Sequence, residues 1–136
     1  MLVDEQFDRS SVAAIRKKVS AAAAGQGLRD VPLTRFAVAV HEIVLNAVRH
    51  GGGHGELRLW RAGGVLHCLV RDEGPGVPDR YRTLRPHRSG PDMRTSGYGL
   101  WLTGQLCPRV EIADRVEGGT DVLLEFPLSA DHTPPP

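Results

Sequence analysis

Glu42, Asn46 and His50 recur at steps of four, so a helix there projects all three from one face. A carboxylate and an amide oxygen one turn apart can hold Mg²⁺, an ion that prefers oxygen ligands and keeps several waters. The carboxylate can instead orient or deprotonate a nucleophile. A solvated helix face is the plain alternative, although Asn inside a helix is mildly unfavourable and wants a reason. Further along, Asp72 is followed by Glu73-Gly74-Pro75-Gly76-Val77-Pro78. This is good turn chemistry and a surface turn would explain it. It also suits a carboxylate accepting a hydrogen bond from an exocyclic amine, with glycines that let a flat ring approach the main chain. Adenine fits such a site, whereas guanine would set a carbonyl against the carboxylate. The third group is Gly97-Tyr98-Gly99-Leu100. Main-chain N–H groups at a helix start, with no Cβ in the way, can receive phosphate; an ordinary loop-to-helix junction is the alternative.

These groups need elements to position them. Leu2 and Val3 suggest a short edge strand, and Asp8, Ser10 and Ser11 are helix-capping residues ahead of an Ala-rich helix from Val12 to Ala24, with Ile15 and Val19 on one stripe. Gly25 and Gly27 stop it, and Pro32 suits the first turn of the next helix. From Leu33 to His50, Phe36, Val40, Ile43 and Ala47 form a core-facing stripe. Glu56–Arg61 and Val65–Val70 read as strands joined by a hairpin turn at Gly63-Gly64. Asp79–Ser96 is Arg-rich and without period, a long loop. Leu100–Leu106 reads as helix, and Val110–Ile112 and Asp121–Phe126 as strands across a turn at Glu117-Gly118-Gly119. Ser129–Pro136 reads as a disordered Pro-rich tail. The expected fold is an α+β two-layer sandwich, helices on one face of a mixed sheet, in a single domain over residues 1–128.

Composition narrows the function classes. The chain has 136 residues, enough for one core. Its 17 basic and 16 acidic side chains nearly cancel, which argues against a direct nucleic-acid partner. No apolar run approaches the ~20 residues that span a bilayer, and the first residues lack the order of a signal peptide, so the expectation is a cytoplasmic protein with no membrane partner. Cys68 and Cys107 are far apart and read as two reduced, buried thiols. Spacing excludes other chemistries. A second zincin His would fall at Leu45, and the P-loop pattern is absent. Gly51-Gly52-Gly53 follows a helix, so it is no dinucleotide fingerprint, and His54, His67 and His87 are too isolated to form a metal site.

In this order, Glu42-x-x-x-Asn46, Asp72-x-Gly74-x-Gly76 and Gly97-x-Gly99-Leu100 resemble the GHKL ATPase superfamily of gyrase, heat-shock chaperones, MutL and sensor histidine kinases. The short form, with Asn46-Ala47-Val48-Arg49-His50-Gly51, resembles the stand-alone anti-sigma factor serine kinases over roughly residues 8–127. The resemblance implies a Bergerat fold, a histidine kinase-like ATPase domain that binds ATP with Mg²⁺. It makes Glu42 the general base, Asn46 the Mg²⁺ ligand and Asp72 the reader of adenine. Gly74, Gly76 and Val77 then lie at the turn beneath the base, and His50 flanks the nucleotide. Gly97, Tyr98, Gly99 and Leu100 form the phosphate-side box, Asp79–Ser96 the lid, and Thr120 lies near the adenine pocket. Two features depart from the family. Thr95 stands where family kinases commonly carry an Arg, with Arg94 one position earlier as the candidate γ-phosphate contact, and the N-terminal strand is very short.

Three functions compete. The leading one is an anti-sigma factor that phosphorylates a serine on a STAS-type anti-anti-sigma protein and sequesters a sigma factor, with a homodimer left open. The second is a nucleotide-dependent protein-binding module without phosphotransfer, which would not need Glu42. A free-standing ATPase is third. A sensor histidine kinase would need a phospho-accepting His on the first helix, and Val12–Ala24 has none.

Overall fold

The computed structural model describes residues 1–50, 52–74, 102–115 and 118–128. Strands β1 (Val3–Asp8), β2 (His54–Ala62), β3 (Val65–Asp72), β4 (Arg109–Asp114) and β5 (Thr120–Pro127) form one sheet in the order β1-β2-β3-β5-β4. Helices α1 (Val12–Gly25) and α2 (Asp30–His50) pack together over its inner face, and residues 102–106 are also helical. The α+β sandwich is therefore as expected, but among the described residues all four strand pairings are antiparallel, where a mixed sheet was expected. Two of the pairs, β2–β3 and β4–β5, are hairpins, which are antiparallel by construction.

Alternation decides which side chains face the helices. Along β3, Leu66, Cys68 and Val70 are buried, while Val65, His67, Leu69 and Arg71 lie on the other face and are only partly covered. Leu57 and Leu59 of β2 and Val122, Leu124 and Phe126 of β5 extend the inner row. Against it α1 sets Ile15, Val19 and Ala23, and α2 sets Phe36, Val40, Ile43, Val44 and Ala47. The stripe of Phe36, Val40, Ile43 and Ala47 is thus the core stripe its spacing indicates. Phe36 is fully buried and meets Phe126 edge-on, ring centroids 5.6 Å apart at 68°.

Two boundaries differ most from expectation, those of the N-terminal strand and of α2. The N-terminal strand is not a dipeptide but runs to Asp8, paired along its length with β2. Val3 and Phe7 point inward, and Glu5, on the same side, meets Lys18 of α1 as an ion pair. Asp8 ends the strand and starts a 3-10 turn, Arg9–Ser11: its carboxylate accepts from the Ser10 N–H at 2.8 Å, and its own N–H donates to Ser11 Oγ at 2.9 Å. α2 starts at Asp30, whose φ of 54° turns the chain into the helix, with Pro32 in the first turn.

α2 is long and apolar enough to span a membrane by length and composition, contrary to the expectation that no segment would be. Its apolar residues are those that bury against the sheet, so its composition is that of a core helix. Cys68 and Cys107 are free and buried, as anticipated; burial pushes both thiols up, Cys107 to about 12. On the outer face Trp60 and His67 stack at 5.2 Å, and His67 Nδ1 lies 3.4 Å from a Glu125 oxygen, a packing role for that histidine. The long loop Asp79–Ser96 and the tail Ser129–Pro136 lie outside the described residues.

Phe36→Ala removes the ring that joins α2 to β5. It should lower stability by about 3–5 kcal/mol, a large part of the ~5–15 kcal/mol that a domain possesses, with an unchanged slope in urea unfolding.

Candidate functional site

Asp72 is the last inward position of β3, and Thr120 the first of β5; the two are cross-strand partners. Alternation therefore carries both side chains to the helix side of the sheet, at the end of an apolar row. Asp72 is only 9% exposed and Thr120 is buried. The Gly74 N–H donates to Asp72 Oδ1 at 2.9 Å, an Asx-type turn that holds the carboxyl while the strand ends. Burial pushes the Asp72 carboxyl above its ordinary value. The Gly74 and Thr120 main-chain amides and the Arg115 guanidinium oppose that shift, and Asp121 adds to it.

Thr120 Oγ1 is buried and has no hydrogen-bond partner among the described residues. A buried hydroxyl without a partner is costly in a finished core. Beside a buried carboxylate it makes a polar pair with bonding capacity to spare, as an amine-bearing heterocycle requires. The neighbouring Gly119 has φ of 99°, and a Cβ there would collide with the Asp72 main-chain oxygen and stand 2.7 Å from Glu73 Cα. Only glycine allows β5 to begin so close to the end of β3.

On α2, Ile43, Val44, Ala47 and Val48 turn inward, which leaves Glu42 and Asn46 half-buried on the helix flank and His50 exposed at its end. The helix packs against β3, and a Cβ on Gly52, just past it, would lie 4.0 Å from the Gly74 nitrogen. The end of α2 and the turn after β3 thus adjoin. Among the described residues neither Glu42 nor Asn46 has a side-chain hydrogen bond or ion pair. Those residues hold no group of three or more His, Cys, Asp or Glu side chains that could bind a metal. A divalent ion at Asn46 would complete its shell from water and phosphate oxygen, which is how Mg²⁺ is ordinarily held. His41, next to Glu42, is held below its ordinary value by burial, with Arg16 and Arg49 acting the same way and Glu42 the other.

Gly76, Val77, Arg94, Gly97, Tyr98, Gly99 and Leu100 lie outside the described residues. Sequence reasoning missed Gly119, Arg115, Asp121 and Gly52 as parts of this site. The Gly118-Gly119 pair signalled a turn, but nothing local revealed what the turn packs against. A separate cavity of about 450 Å³ lies between the start of α2 and the end of β5, around Pro32, Leu106 and Phe126. Among the described residues that line it there is no carboxylate; Arg35 and Gln105 supply its charge and its amide.

A family model of the histidine kinase-like ATPase domain matches residues 6–126. The chain belongs to that family. Within it, the anti-sigma F factor of Geobacillus stearothermophilus is 32% identical over 99 residues, 68% of each chain. That of Bacillus licheniformis is 29% identical over 103 residues, 71% of this chain and 70% of the other. These relatives mark it as an anti-sigma factor of the GHKL superfamily, and membership in an ATPase family implies ATP binding. The fold recurs in a mycobacterial sensor histidine kinase, MprB, with a TM-score of 0.57 at 21% identity over 90% of this chain and 97% of that one. It recurs in full-length ShkA bound to AMPPNP, with a TM-score of 0.57 at 20% identity over 93% of this chain and 31% of that one.

Because its carboxyl is raised in the fold, Asp72 opposes folding once ionised. That penalty is absent below the ordinary carboxylate range, grows as pH rises through it, and is complete above the raised value. Asp72→Asn keeps an oxygen for the Gly74 amide and does not titrate. Its melting temperature at pH 7 should equal or exceed the wild type's, with the advantage fading towards pH 3, as differential scanning calorimetry across pH would read. Gly119→Ala should cost about 2–4 kcal/mol from left-handed strain and the displaced strand end, measured by urea unfolding.

Proposed function

We propose that this protein is an anti-sigma factor with serine/threonine protein kinase activity, in which Asp72, Thr120, Asn46 and Glu42 are the working residues. The observation that carries the reading is the buried Asp72–Thr120 cross-strand pair at the end of an apolar sheet row, with a Thr120 hydroxyl that has no partner among the described residues and with the end of α2 adjoining the turn after β3. Asp72 accepts from the exocyclic amine of adenine, and the Thr120 hydroxyl serves the same ring. A buried carboxylate left unpaired by the wrong base costs on the order of 1–3 kcal/mol, which selects ATP over GTP.

Bound ATP would supply the γ-phosphoryl group and leave as ADP, and a Mg²⁺ held there would neutralise charge on the phosphates. Asn46 contributes an oxygen to the ion. Glu42, one turn away on the same helix face, takes the proton from an incoming serine hydroxyl. Phosphoryl transfer depends mostly on positioning and charge, so Glu42 serves the rate and not the holding of nucleotide. Gly74, Gly76 and Val77 back the base, Gly97, Tyr98, Gly99 and Leu100 meet the phosphates, Arg94 faces the γ-phosphate and His50 flanks it; these roles rest on the family resemblance.

The serine donor is a STAS-type anti-anti-sigma protein, and the second partner is a sigma factor. Support comes from the anti-sigma F factor relatives and from matching domain bounds, which favour one domain over residues 1–128 working in the cytoplasm. A homodimer fits this reading, and direct nucleic-acid contact has no part in it.

Labelled ATP with a purified STAS protein tests the proposal. Glu42→Ala should keep ATP and sigma-factor binding and lose ~10²–10⁴-fold in transfer to serine. Asn46→Ala should lose Mg²⁺-dependent binding as well. Intact ATP binding by the wild type without any phosphoserine would make this a binding module that transfers nothing.

A further inference from the structure

Arg115 belongs to no motif and follows the last residue of β4. Its main chain closes the β4–β5 turn: its N–H donates to the Gly119 carbonyl at 3.0 Å, and its carbonyl accepts from the Gly118 N–H at 3.0 Å. Its side chain runs back across the end of the sheet. Nη1 donates to the Asp72 main-chain carbonyl at 3.0 Å, and Nε lies 3.8 Å from Asp121 Oδ1. Asp121 is gripped in turn by Arg71, whose Nε and Nη2 donate at 2.8 and 3.0 Å. An arginine in a turn ordinarily leaves its head in water; this one is only 15% exposed.

The carbonyl that Arg115 holds is also the atom that a Cβ at position 119 would strike. The ends of β3, β4 and β5 are therefore fixed at one point, the main-chain carbonyl of Asp72 itself. We propose that Arg115 is a positioning residue for the adenine-reading carboxylate, clamping the end of β3 so that Asp72 is presented in one orientation. The inference rests on the nucleotide reading above and deepens it. Besides orienting the main chain, the guanidinium opposes the effect of burial on Asp72, as do the Gly74 and Thr120 amides, while Asp121 works against them. The remaining charged groups beside this point, His54, Glu56, Arg71 and Glu73, line an adjoining cavity of about 210 Å³.

The test compares Arg115→Met, Arg115→Lys and Arg71→Met in the full chain. Carbon NMR reads the Asp72 carboxyl titration without nucleotide, and calorimetry reads ATP affinity. Arg115→Met should move the Asp72 titration to higher pH and weaken ATP roughly tenfold, the loss expected of one charge-assisted bond. Arg115→Lys should restore the titration but only part of the affinity, because a point charge lacks the planar fork. Arg71→Met should leave the titration in place. Wild-type titration and affinity in a folded Arg115→Met protein would overturn the proposal, and so would equal shifts in both Met variants. Should Arg115→Met not fold, the Lys variant decides: reduced affinity with a normal titration supports the clamp, and wild-type values for both overturn it. If the wild type binds no ATP, the nucleotide reading falls, and the titration still judges Arg115.

Discussion

The contact between α2 and the inner face of the sheet sets the geometry of everything else in the molecule. A helix repeats every 3.6 residues and a strand every two. Once Phe36, Val40, Ile43 and Ala47 are committed to the core, Glu42 and Asn46 can only lie on the flank of that helix. Once Leu66, Cys68 and Val70 face the helices, Asp72 must face them too. The two periodicities and one packed interface therefore put Asp72 on the helix-facing side of the sheet and Glu42 and Asn46 on the flank of the helix packed against it.

Asp72 shows what this placement costs. A carboxyl at the end of an apolar row is driven towards its neutral form, and two main-chain amides and an arginine hold it against that drive. Thr120, opposite, buries a hydroxyl that the described protein groups do not satisfy. Both are defects for folding and assets for recognition, since a ligand that completes them gains what the fold gave up. The rest of the row is apolar and fully packed, which is how one strained end is tolerated.

Much of this could be read from the chain. The α2 stripe, the β2–β3 hairpin at Gly63-Gly64, the β4–β5 turn and the place of Asp72 at the end of β3 follow from local spacing, because periodicity and turn chemistry are local signals. The length of β1 was hidden because Asp4, Glu5 and Gln6 look solvated; the strand exists because β2 pairs with it, a partner far away in sequence. The antiparallel order was hidden for the same reason. At the site, Gly119 announced a turn but not the carbonyl it must clear, and Arg115, Asp121 and Arg71 gave no sign, since a side-chain bridge between three strands leaves no spacing in any one of them.

The two buried thiols lend themselves to another use. Cys68 sits on the central strand β3 with its side chain in the core, and Cys107 follows the helical residues 102–106, near the sheet's far edge. Both are protonated and shielded, so an alkylating reagent reaches either only when its surroundings part. Both belong to one core, close enough that Cys107 adds to the upward push on the Cys68 thiol. The chain therefore carries a pair of native chemical reporters on the opening of that core, without any label having to be engineered into it.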